Sequence, residues 1–119
     1  MRSMHKSERK FQSMNNQDRV LSMVGLAKKA GKLAAGSFLA EKAVRAGWAE
    51  LLIVAEDAAP NIKKKFTNSS NYYEIDYMEY GTKETLGHYT GYENIAVVAV
   101  TDAGFAKAIE DKYRKLENQ

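Results

Sequence analysis

Apolar positions along the chain recur with two periods, and the periods alternate. Val20, Leu21, Val24, Leu26 and Ala27 return at helical spacing after Asp18. They predict a helix from Asp18 onward, with Lys28-Lys29 suited to its C-terminal end and Gly31 as its stop. Lys32–Ala35 reads as a short extended link or edge strand. A second helix is predicted over Ser37–Ala46, with Ser37 as N-cap just after Gly36 and Gly47 as its end. At 100° per residue, Ala40, Ala43, Val44 and Gly47 share a small apolar face fit to pack closely on a sheet. Phe38, Lys42 and Arg45 share the opposite face, with Glu41 at its margin.

Glu50–Ala55 is a short continuous apolar run, the pattern of a buried central strand. Pro60 then opens a third helix that carries Lys63-Lys64-Lys65. Tyr73–Tyr80 alternates through Tyr73, Ile75 and Tyr77 and predicts a second strand. Thr82 is a natural N-cap for a short helix ending at Leu86, before Gly87. Ile95–Val100 predicts another buried strand, and Ala103–Leu116 a last amphipathic helix with Phe105, Ala108, Ile109 and Lys112. Helices alternating with short buried strands give an α/β fold, an α-β-α sandwich. Residues 1–16 are polar, basic and aperiodic, and are expected to form a flexible arm ahead of one domain over 17–119.

Composition narrows the function classes. A chain of 119 residues has room for one core. It has no Cys, which excludes disulfides and thiolate metal sites. No apolar run approaches the ~20 residues of a membrane span, and no signal-peptide core is visible. A cytoplasmic protein without a membrane partner is expected. The net charge of +3 conceals an asymmetry: residues 1–35 hold eight cations against two acids, whereas residues 71–94 hold Lys83 against five acids. A basic face toward a polyanion and an acidic face elsewhere would have this pattern, as would two solvated surfaces.

Enzymatic motifs are missing. Gly31 and Gly36 have the spacing of a phosphate-binding loop, but Ser37-Phe38 stands where that loop needs Lys then Ser or Thr. The dinucleotide fingerprint is absent. His5 and His88 are too few, without Cys, for a transition-metal site. Glu56-Asp57 follows a strand, where α/β enzymes keep carboxylates, yet Asp57 or Ala58–Pro60 better suits the capping of the third helix. No catalytic residues, metal or cofactor are therefore expected. Binding remains. Lys28, Lys29, Lys32, the Gly36 turn, Lys42 and Arg45 are expected to converge on one end of the fold, where lysines and helix-start N–H groups hold phosphates. Phe38 either stacks on an unpaired base or turns back to cap the core.

The stretch Leu26-Ala27-Lys28-Lys29-Ala30-Gly31-Lys32-Leu33-Ala34-Ala35-Gly36, then Lys42-Ala43 and Ala49–Ala58, resembles the family of large-subunit ribosomal proteins L seven Ae and L thirty e. Tyr80–Gly87 and Ala96–Val100 extend the resemblance over about residues 18–110, and within the family it is nearest the bacterial YlxQ-like branch. The resemblance implies a three-layer sandwich on a mixed four- to five-stranded sheet. It also implies binding to kink-turn RNA, such as ribosomal RNA, through sheared G·A pairs. The second helix start would enter the RNA groove, with Gly31, Lys32, Gly36, Ser37 and Lys42 in the binding stretch. Gly91–Ile95, including Glu93, Asn94 and above all the apolar Ile95, would cover a flipped-out nucleotide. The family pattern has Asn-Glu where this chain has Phe38-Leu39, which removes two base-reading side chains, each worth ~1–3 kcal/mol of discrimination. The expected partners are RNA and the ribosome, with a monomer in their absence. The alternative function is a protein-interaction or assembly module that keeps the fold without RNA readout, with the Tyr-rich acidic region at Glu74–Glu93 as its contact surface.

Overall fold

A computed structural model describes residues 15–117. The apolar runs supply four short strands in one sheet: β1 (Leu33–Ala35), β2 (Leu51–Val54), β3 (Asp76–Glu79) and β4 (Val97–Val100). Five helices separate them: α1 (Asn15–Lys29), α2 (Ser37–Ala46), α3 (Pro60–Tyr73), α4 (Lys83–Thr90) and α5 (Ala103–Glu117). The sheet order is β1-β4-β2-β3. β4 runs antiparallel to both neighbours, with Leu33 and Leu51 each opposite Val100, while β2 and β3 are parallel through the α3 crossover. Every side chain of β2 and β4 is buried, as an unbroken apolar run between two helical layers requires.

Helices α2 and α3 cover one face, joined across their surface by a Lys65–Glu41 ion pair of 2.8 Å. Helix α1 packs with α4 and α5 on the other face. The expected α-β-α sandwich is therefore the fold, with four strands among the described residues. The expected arm falls on residues 1–14, which lie outside the described residues, and on Asn15 and Asn16, which begin α1.

Several boundaries differ from expectation, each for a local reason. Ser37 is not the N-cap of α2. Gly36 is, with φ 94° and ψ 158°, a conformation confined to glycine. Its N–H donates to the Val97 carbonyl at 2.8 Å, so the sheet itself fixes the cap one residue earlier. Tyr73 ends α3 instead of starting β3, because Glu74 turns left-handed (φ 57°) and donates its N–H to the Ser70 carbonyl. Ile95 and Ala96 precede β4, and the Ile95 N–H donates to the Lys83 carbonyl. Helix α4 opens on the expected Thr82 cap, completed by reciprocal bonds with Thr85, but it runs on through Gly87 to Thr90. Gly87 is needed there for closeness: a Cβ would lie 2.7 Å from the Tyr92 carbonyl oxygen and 2.8 Å from that of Glu93.

Two predictions follow from the packing. Gly87→Ala drives its methyl into main chain that cannot yield cheaply, and should cost about 1–3 kcal/mol in urea denaturation. The second concerns Glu110 on α5. Burial, reinforced by a hydrogen bond to Asp76 and by its charge, pushes the Glu110 carboxyl up from 4.5 to about 7. The folded protein then holds a proton that the unfolded chain releases near pH 4.5. This contribution to stability is complete below pH 4.5 and is lost as pH rises through about 7. Melting temperature should therefore fall between pH 5 and 8, and Glu110→Gln should flatten the fall.

Candidate nucleic-acid interface

The start of α2 is open. Gly36 has no side chain, and no side chain caps the first turn, so its N–H groups remain for water or an anion. Ser37 occupies the first helical position. Phe38 is 79% exposed, so it projects into solvent and does not cap the core. Lys42 is one turn further along the same side and is exposed. Phe38, Glu41, Lys42, Arg45 and Ala46 line a shallow groove of about 470 Å³.

The cations of this groove are not equal. Arg45 lies 2.6 Å from the Glu41 carboxylate, which also receives Lys65. The Lys65 hydrogen bond, chief among these effects, holds the Glu41 carboxyl below its usual range. Arg45 thus shares one carboxylate with Lys65, while Lys42 has no ion pair among the described residues. The sequence pattern placed Lys42 and Arg45 on one face and gave no sign that Lys65, from another helix, shares their acid.

The expected convergence of all the basic residues on one end does not occur. Lys32 precedes β1 and Gly36 follows it, so the extended strand carries the two toward opposite ends of the sheet. Gly31 serves mainly to stop α1. It adopts φ 74°, its N–H donates to the Lys28 carbonyl, and the Lys32 N–H donates to that of Ala27, the paired bonds of a Schellman end. Lys28 is instead linked to the loop after α4. Its ammonium lies 5.4 Å from the centre of the Tyr92 ring, a contact that nothing in the sequence signals.

That loop closes the site on the other side. Glu93 and Asn94 are exposed. Ile95, expected to be the apolar surface of the loop, is 8% exposed and belongs to the core. Its Cδ1 is the nearest atom to a Cβ built on Gly36, at 3.9 Å. Ile95 therefore seats the loop against the α2 start, and Tyr92 is the exposed large apolar residue of the loop.

Asp57 does not cap α3, whose N-cap is Ala59 without a side-chain bond. The Asp57 Oδ1 accepts from the Lys83 N–H at 2.8 Å and ties the end of β2 to the start of α4. Among the described residues, no group of three or more His, Asp or Glu is placed to hold a metal, and no helix is long and apolar enough to cross a membrane.

Residues 18–110 match the family described as ribosomal protein L7Ae/L30e/S12e/Gadd45. The chain is 40% identical over 87 residues to the RNA-binding protein YlxQ of Bacillus subtilis (strain 168), covering 73% of this chain and 87% of the relative. It is 33% identical to the RNA-binding protein YlxQ of Enterococcus faecium, over 81% of this chain and 92% of that protein. Among solved structures, a protein of unknown function from Bacillus halodurans C superposes with a TM-score of 0.77 at 32% identity, covering 81% of this chain and 97% of that one. The 15.5kD RNA binding protein of Giardia lamblia shares the fold at 22% identity, with a TM-score of 0.72 over 87% and 89% of the two chains.

The tether between Asp57 and α4 can be tested on the folded chain. Asp57→Ala should cost about 1 kcal/mol in chemical denaturation through the lost helix-start acceptor, and Asp57→Asn should restore most of it.

Proposed function

Because this chain belongs to the ribosomal protein L7Ae/L30e/S12e/Gadd45 family, we propose that it is an RNA-binding protein of the cytoplasm that engages kink-turn RNA as a monomer, with ribosomal RNA as the target class. The RNA-binding names of the two bacterial YlxQ relatives support the first part of this reading. The observation that carries the site is the exposed Phe38 beside Lys42, which has no ion pair among the described residues, on an uncapped helix start.

In this reading the first-turn N–H groups of α2 meet the RNA backbone where the dipole favours an anion. Lys42 reaches guanine O6 and N7 or a phosphate, and Phe38 stacks on an unpaired base, in place of the hydrogen bonds that Asn-Glu would make. The loop carrying Glu93 and Asn94 lines the opposite wall, held there by Ile95. Lys32, beyond the far end of β1, supplies at most a peripheral phosphate contact.

Titration at near-physiological salt compares a kink-turn RNA with the same RNA after its G·A pairs are disrupted. Tight binding to the intact RNA alone is expected. Phe38→Ala should weaken it by about 1–3 kcal/mol, and Lys42→Ala should weaken it and lower the salt slope by about 1. Equal, weak affinity for both RNAs would overturn the reading and favour a protein-assembly role.

A further inference from the structure

A second cleft lies between α1 and α4. It measures about 710 Å³, and its walls include Leu26, Lys28, Lys29, His88 and Tyr89. Its floor is closed by main chain, since Gly25 lets the Tyr89 carbonyl oxygen come within 3.0 Å of where a Cβ would stand. The lining mixes two characters. Leu26 is 52% exposed although its neighbours Val24 and Ala27 are fully buried, so its side chain lies outside the core. Exposed His88 stands edge-on to the Tyr89 ring, with centroids 5.4 Å apart. Lys28 and Lys29 make no ion pair among the described residues, in contrast to Arg45 and Lys65 across the molecule.

One loop joins the cleft to the interface described above. Lys28, on its rim, covers the half-exposed ring of Tyr92, and the loop from Tyr92 leads through Glu93 and Asn94 to Ile95 against Gly36. Cations without an ion pair among the described residues suit a polyanion, but an apolar and aromatic wall offers nothing to a duplex, whose bases are stacked away. An unpaired nucleotide brings both a phosphate and a bare ring face.

We propose that the α1–α4 cleft is a second RNA subsite that takes a short single-stranded segment leaving the primary site across Tyr92. Its bases lie against Leu26 and the His88–Tyr89 pair, and its phosphates lie at Lys28 and Lys29. This rests on the RNA-binding reading above and extends it to RNA outside the kink.

Fluorescence anisotropy can compare a bare kink-turn RNA with versions carrying three unpaired nucleotides at one or other end, or the same nucleotides closed into duplex. One unpaired extension should bind about tenfold tighter than the bare RNA, a factor within the range of one base stacked on a side chain. The paired version should gain nothing. Leu26→Ser with His88→Ala, both at exposed positions, should abolish the gain and leave affinity for the bare RNA unchanged. Equal affinity for all these RNAs, or a gain that survives the double substitution, overturns the subsite while leaving the primary reading intact. Failure to bind any of them overturns both. Amide shifts at Leu26, Lys29 and His88 induced by a glutamate-rich peptide and not by the extension would assign the cleft to a protein and overturn the proposal.

Discussion

Strand β4 is hydrogen-bonded along both edges, and the rest of the architecture depends on that arrangement. Its inner partner β2 carries the parallel pair and the α3 crossover, while its outer partner β1 is only three residues long. An isolated pairing of that length would be marginal. It is extended by the Gly36 N–H, bonded to Val97, and by the Thr101 N–H, bonded to the Lys32 carbonyl. The first of these bonds aims α2. The glycine that closes the ladder also turns the chain into the helix, so the open first turn is fixed to the sheet, not to a mobile loop.

Most of the elements were legible because burial imposes a pattern. The runs Leu51–Val54 and Val97–Val100 are apolar throughout, as strands covered on both faces must be, and Ala40, Ala43 and Val44 form the close-packing stripe of α2. What the pattern misplaced were ends, where main-chain bonds outweigh side-chain preference. Ser37 is a better capping residue than Gly36 by propensity, yet the bond to Val97 decided the cap. Glu74 has no intrinsic reason to turn left-handed. Gly87 looks like a helix stop in one dimension, whereas in three its missing side chain admits a neighbouring loop.

The site was legible only in part, for a related reason. Face assignments within α2 depend on its own periodicity, and Phe38 and Lys42 lie where that periodicity puts them. Relations between elements do not. Nothing local shows that Lys65 reaches Glu41, that Tyr92 sits under Lys28, or that three residues of β1 divide Lys32 from Gly36. Grouping the basic residues by nearness in sequence therefore merged two surfaces, one at the helix start and one along α1. Ile95 failed as a surface residue for the opposite reason. Its apolar character was seen, but its place in the core beside Gly36 leaves no trace in a hydropathy pattern.

The strand order has a consequence for the order in which the molecule is made. β1 pairs with nothing but β4 among the described residues, and β4 lies more than sixty residues later in the chain. During synthesis, β2, α3 and β3 can associate as soon as they leave the ribosome, but β1 has no partner until residues 97–100 follow. The Gly36 turn, whose N–H bonds the Val97 carbonyl, therefore cannot take its final shape before those residues arrive. A nascent chain already carrying Phe38 and Lys42 would not yet present them on a fixed helix start. That helix start would be set only after residues 97–100 have followed.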